Sequence, residues 1–223
     1  MRKLALAVAI AVAGTSGTAY AGPTIYNSQA AYLAAVGANG VDTFESLSIT
    51  GTTPSPITRS AGAFGYTAAV STTTFFGAGS AGDHWLSTNT ATDSITFNNF
   101  TGGVSGFGGF FFGSDVSGLF ATGSVTITAT DASGTSTFTI TNATTSSFVG
   151  FVSSGPLLSA TLVSVQPTSG FLWPTANNLT LAGAAATSGV PEPATWAMLL
   201  IGFGGVGYSI RRGRKVSARI RFA

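Results

Sequence analysis

Residues 123–141 read GSVTITATDASGTSTFTIT. Val125, Ile127 and Ala129 alternate with Thr126, Thr128 and Thr130, and after Gly134 the pattern resumes as Thr-Ser-Thr-Phe-Thr-Ile-Thr. A period of two puts apolar side chains on one face and hydroxyls on the other, which is the pattern of a half-buried strand and not of a helix. Asp131-Ala132-Ser133-Gly134 falls between the two runs as a hairpin turn of about four residues. The stretch therefore predicts two adjacent antiparallel strands.

Similar runs recur outward from this hairpin. Upstream they are 41–49, 61–70, 94–100 and 104–113; downstream they are 147–153, 157–166 and 178–182. Strands of this size about every 10 residues, punctuated by Gly, Ser and Asn, predict a β-sandwich. One segment reads as helix: Asn27 or Ser28 caps it, QAAYLAAV forms its body and Gly37 ends it. An array of threonines laid out to match ice would need a fixed Thr-x-Thr repeat. Thr72–Thr74 and Val125–Thr128 carry no such period, which argues against that role.

Charge is distributed unevenly. Between Gly22 and Gly189 the one base is Arg59, against Asp42, Glu45, Asp83, Asp93, Asp115 and Asp131; the remaining Lys and Arg lie near the two ends. The overall pI near 9.2 thus belongs to the termini. An acidic middle offers nothing for a phosphate backbone, so nucleic acid is excluded as a partner. Cysteine is absent, which removes disulfides, thiol catalysis and Cys-based zinc sites.

Residues 1–21 combine Arg2 and Lys3, an apolar run from Leu4 to Ala13, and Ala19-Tyr20-Ala21. That order predicts a signal peptide, carried through the Sec translocon and cut by signal peptidase. Near the other end, VPEPATWAMLLIGFGGVGYSIRRGRK spans Val190 to Lys215, with an uncharged run of 17 residues from Ala194 to Ile210. The run predicts a transmembrane helix, with Trp196 at the outer headgroups and the arginines on the cytoplasmic side.

Pro191-Glu192-Pro193, then Trp196-Ala197, a Gly-rich apolar helix and Arg211-Arg212 resemble the PEP-CTERM sorting signal in its PEPxxWA form. The resemblance implies a bacterial exported protein processed by an exosortase, a membrane-embedded cysteine transpeptidase-like enzyme. It also implies transient anchoring in the inner membrane and a final location at the cell surface or outside the cell. The middle of the chain resembles ectodomains that precede this tail, through Phe44-Glu45, Gly106-Phe107-Gly108, Phe148-Val149-Gly150-Phe151 and a closing Trp173–Leu179 segment. That likeness implies a jelly-roll-like β-sandwich similar to carbohydrate-binding modules. The expected organisation is a signal peptide (1–21), an all-β ectodomain with a short N-terminal helix (22–189), the sorting signal (190–215) and a cytoplasmic tail (216–223).

Candidate sites are few. Trp85, Phe111 and Trp173 are the aromatics able to stack on a sugar ring or a partner if exposed. Jelly-roll modules often hold Ca²⁺ between first and last strands, and here Glu45, with Asp42, would face Asn177 or Asn178. Asp83-His84 sits beside no Gly-x-Ser-x-Gly elbow, so it reads as a loop with a solvent-facing histidine. Glycosidase chemistry needs two carboxylates facing across a cleft, and the six acids are scattered. The expected function is a non-enzymatic surface or matrix component associated with exopolysaccharide; the alternative is a secreted hydrolase acting on polysaccharide.

Overall fold

The computed structural model describes residues 22–185 and 193–213. The expected signal peptide, Pro191, Glu192 and the tail 216–223 lie outside the described residues. The first segment runs β1 (Thr24–Tyr26), α1 (Gln29–Ala35), β2 (Val36–Asp42), β3 (Thr52–Thr53), β4 (Ile57–Ala61), β5 (Phe64–Val70), β6 (Phe75–Ser80), β7 (Asp83–Thr88) and β8 (Ile95–Thr101). It continues through β9 (Gly106–Ser114), β10 (Phe120–Ala121), β11 (Gly123–Asp131), β12 (Thr135–Ala143), β13 (Phe148–Val152), β14 (Leu157–Val165) and β15 (Trp173–Ala184).

The opening hairpin is β11–β12, paired antiparallel with Thr128 opposite Thr137. Asp131 makes its turn: Oδ1 accepts from the N–H groups of Ser133 (2.7 Å) and Gly134 (2.9 Å). These strands belong to a six-stranded sheet ordered β12-β11-β14-β8-β5-β4. The second sheet, nine-stranded, follows β1-β13-β9-β15-β7-β6-β3, with β2 beside β15 and β10 beside β9. One core lies between them, drawn from Phe64, Tyr66, Ile95, Phe97, Val125, Ile127 and Leu162 on one side and Phe107, Phe111, Val149, Phe151 and Leu181 on the other. The all-β reading holds.

The outer face of the smaller sheet collects threonines into rows that cross the strands. One row runs Thr137, Thr128, Thr161, Thr96; another runs Thr135, Thr130, Ser159, Asn98, Thr67, Thr58. Between β11 and β12 the hydroxyls pair directly at 2.8–3.0 Å. Such rows are perpendicular to the chain, so no sequence period announces them. Asn99, Asn142 and Asn178 take left-handed backbone (φ +49°, +51° and +49°), each beside a register shift. Asn tolerates that region better than other non-glycine residues, so these three mark β-bulges.

Helix α1 is shorter than expected and ends differently. Ser28 Oγ accepts from Ala31 N at 3.2 Å as the N-cap, but Val36 is already extended and Gly37 lies in β2. Gly37 is there because a Cβ would sit 2.3 Å from the Ala184 carbonyl oxygen. Tyr32 of α1 covers the outer face of β9 and β13, above Gly106, Gly108 and Gly150, and donates to the Thr180 carbonyl at 3.2 Å. The expected strand at 41–49 stops at Asp42. Phe44 turns away with φ +63°, its N–H held by Asp42 Oδ1 at 3.0 Å.

Asp42 is also where the one base of the domain is spent. Arg59 donates to both its oxygens, Nε to Oδ2 at 2.6 Å and Nη2 to Oδ1 at 2.7 Å, while Tyr66 Oη donates to Oδ2 at 2.7 Å. The guanidinium lies 5.2 Å from the Phe44 ring centroid. Asp42 and Tyr66 are buried and Arg59 nearly so, which makes this a closed polar cluster with every strong group paired.

The second segment is α2 (Pro193–Gly213), and its described apolar side chains, including Leu200, Ile201 and Phe203, are exposed. The transmembrane expectation is not confirmed by this helix. No helix among the described residues is long and apolar enough to cross a membrane. Gly202, Gly204, Gly205, Gly207 and Tyr208 dilute the apolar run.

Candidate functional site

Of the three aromatics expected at a binding surface, two belong to the core. Phe111 on β9 is wholly buried, its ring stacked on Phe107 with centroids 5.9 Å apart. Trp85 on β7 is 7% exposed and meets Phe112 edge-on at 4.8 Å. Both faces of β9 are covered, so stacking on a ligand is corrected to packing for these two. Trp173 is different. It opens β15, is half-buried, and its Nε1 donates to the Asn89 carbonyl at 3.4 Å.

Two concavities flank Trp173, and both include Asn89 in their walls. The first, about 230 Å³, is lined by Ser87, Thr88, Ser114, Asp115 and Val116. The second, about 240 Å³, is lined by Thr90, Ala91, Thr92 and Phe171. Phe171 is 68% exposed and stands edge-on to Trp173 with centroids 6.3 Å apart. An exposed phenyl held against a half-buried indole forms an apolar wall that water solvates poorly.

The sequence builds this region through three local devices. Asp115 closes the turn after β9: Oδ1 accepts from Ser117 N (2.8 Å) and Leu119 N (3.0 Å), which leaves Oδ2 outside these two bonds. Ser87, Ser114 and Thr175 form a buried hydroxyl cluster, with Thr175 Oγ1 donating to Ser114 Oγ at 2.8 Å. Gln166 ties the two flanking loops together. Its Nε2 donates to the Ala91 carbonyl (2.9 Å) and the Leu172 carbonyl (2.8 Å), while its Oε1 accepts from Leu172 N (3.2 Å). Asn89 and Gln166 were not legible as site residues because Trp173 and Ala91, which they meet, lie 84 and 75 residues away; Asp115 and Phe171 were not because their local contacts look like those of any turn.

Two of the residues expected at calcium, Glu45 and Asn177, each bond to the start of β7. Glu45 accepts from His84 N at 3.1 Å and lies 3.8 Å from His84 Nε2. Asn177 donates instead to Asp83 Oδ1 at 2.9 Å, and Asn178 is the bulge residue noted above. Among the described residues, no three His, Cys, Asp or Glu groups are placed to hold a metal ion. His84 is corrected from loop to strand. It lies on β7, with Nδ1 2.8 Å from the Leu47 carbonyl. The pair 83–84 thus pins the loop after β2 and the closing strand β15.

On the second segment, Trp196 and Ala197 lie in the first turns of α2 and Arg211 and Arg212 in its last. A short proline-led entry, an apolar helix and a basic end define a C-terminal sorting substrate. Residues 189–215 match the PEP-CTERM protein-sorting motif, which marks the chain as an exported protein handled by an exosortase and directed to the cell surface or extracellular space. No curated protein and no solved structure matches the chain.

Proposed function

We propose that residues 22–189 form a non-enzymatic module that binds a neutral glycan of the exopolysaccharide class at the exported protein's final location. The observation that carries this reading is the pair of cavities that share Trp173 and Asn89. A pyranose presents apolar C–H faces and a rim of hydroxyls, so it asks for an aromatic wall and a few polar groups. Trp173 with Phe171 supplies the wall; the Asn89 amide and Asp115 Oδ2 supply the polar groups. Two adjoining cavities suit consecutive sugars of a chain better than a single monosaccharide. The carboxylate of Asp115 favours a neutral chain over an acidic one by like-charge repulsion. Asp115 is also the single carboxylate among the residues lining the two cavities, which supports binding over hydrolysis, since glycoside cleavage uses two.

Antiparallel neighbours remote in sequence, such as β13, β9 and β15, support the jelly-roll-like assignment. Membrane insertion of α2 before processing rests on its exposed apolar side chains and the basic end.

Binding of the purified protein to neutral and uronic-acid polysaccharides, followed by calorimetry, tests the reading. Trp173→Ala is expected to cost on the order of 2 kcal/mol, about 30-fold in affinity. Gln166→Ala should weaken binding several-fold through the loops it ties. A folded Trp173→Ala protein that binds as the parent does, or release of reducing ends by the parent, defeats the proposal.

A further inference from the structure

We infer that β12 is a self-association edge, through which a second copy of this chain pairs antiparallel with the first. Sheet edges expose unpaired N–H and C=O groups, and proteins ordinarily blunt them with shortness, charge or proline. Five other described strands pair on one side only: β1 has three residues, β3 two, β10 two, β4 five with Arg59 on it, and β2 seven ending in Asp42. The longest such edge, β12, has nine residues, with no charged residue and no proline. It ends the six-stranded sheet, with β11 on its inner side. Among the described residues, Gly22 lies against the start of this strand, where a Cβ would sit 2.8 Å from the Thr135 nitrogen and 3.0 Å from the Gly134 carbonyl carbon. The bulge at Asn142 closes the regular stretch at Thr141.

The occupant is a second copy because the strand is complementary to itself. In antiparallel pairing, residues opposite one another share a face. Centring Thr135–Thr141 on Phe138 sets Thr137 opposite Thr139, Thr135 opposite Thr141 and Ser136 opposite Ile140. Hydroxyl then meets hydroxyl on the outer face. That face already pairs Thr126 with Thr139 at 2.8 Å and Thr128 with Thr137 at 3.0 Å. Each hydroxyl has one donor and two acceptor positions, so the pairs formed can extend across the new interface. On the inner face, Phe138 and Ile140 are half-buried against the core and would be covered by the partner's copies. The nearest acid, Asp131, is buried and bonded to Ser153, so no charge on the strand opposes approach. A strand edge alone buries less than the roughly 1,200 Å² of a stable interface. Pairing is therefore weak in dilute solution and becomes effective where sorting concentrates copies on a surface, at roughly millimolar effective concentration.

The natural absence of cysteine makes a direct test possible. Full-length chains carrying Thr137→Cys and Thr139→Cys are mixed in mild detergent at roughly millimolar concentration and oxidised, with Thr96→Cys, inside the same face, as control. The mixed 137–139 disulfide is expected at least tenfold above either homodisulfide and above the control. Adding Thr139→Lys to the Thr137→Cys chain, or raising charge at the edge with Thr137→Lys alone, should abolish association measured by sedimentation while leaving the melting temperature in place. Equal cross-linking at all positions, dimers indifferent to Thr139→Lys, or a chain monomeric throughout overturns the inference; the first two would assign association to α2.

Discussion

Asp42 shows how one carboxylate can organise a region whose one permanent cation is Arg59. Its carboxylate receives Arg59 twice, Tyr66 and the Phe44 N–H, so Asp42→Ala strands a buried guanidinium and a buried phenol together. Breaking such a pair from one side costs about 3–5 kcal/mol; urea unfolding of the variant should show that loss, and Arg59→Ala a loss of similar size. Asp93 and Asp131 set the acid limit. Burial pushes both carboxyls up, but hydroxyls from Thr72, Thr73 and Ser71 at Asp93, and from Ser153 with two N–H groups at Asp131, outweigh it and hold both below the ordinary range. A carboxyl depressed in the fold stabilises it above the unfolded value, about 3.9, and that stability drains away as pH falls through the lower folded value. The melting temperature should therefore drop steeply below about pH 4, and Asp131→Asn should start lower at neutral pH and fall less. Trp173 was legible at this scale because an indole near a turn is conspicuous; Asn89 and Asp115 were not, since ordinary turn residues acquire roles only from what folds beside them.

At the scale of elements, most strands with an apolar run or an alternating face were readable, while several short or irregular ones were missed. β8, β11, β12 and β14 fall within a few residues of their expected places because each offers one face to the shared core, and β9 and β13 because their apolar runs are buried on both faces. β6 and β7 escaped: Phe-Phe-Gly-Ala-Gly-Ser and Asp-His-Trp-Leu-Ser-Thr show no period of two, and Trp85 through Thr88 are buried on both sides. Phe44-Glu45 looked like a strand until Asp42 capped it. The Gly-Phe-Gly of β9 has a reason invisible in sequence, which is room for Tyr32. At Gly150 on neighbouring β13, a Cβ would meet the Tyr32 ring at 2.4 Å. Gly150→Ala should lift α1 from the sheet and cost about 1–3 kcal/mol. Pairing it with Tyr32→Ala should recover part of that loss, since the clash disappears with the ring; a double-mutant cycle in denaturant measures the coupling.

For the whole molecule, the two described segments differ in how they treat apolar surface. The β domain completes its core within residues 22–185, whereas α2 shows exposed apolar side chains along its described length. Exosortase handling predicts that the extracellular product lacks the helix. Mass spectrometry of material secreted by the native host should find no peptide from Met198 to Ile210, while full-length chain confined to the envelope would point to permanent anchoring. The C-terminal motif was the most legible part of the sequence because sorting machinery reads local order and not a fold.

The burial of Arg59 also governs how the finished protein meets its enemies. Proteases of the trypsin type cut after lysine or arginine, and between Gly22 and Gly189 this chain offers them Arg59 alone. That residue is held on a strand by Asp42 and Tyr66 and is largely withdrawn from solvent. A folded copy should pass through a trypsin digest uncut, and once unfolded it should break at a single internal bond. Outside a cell, where such proteases circulate and no chaperone repairs damage, a single, largely buried cleavage site should let this domain persist.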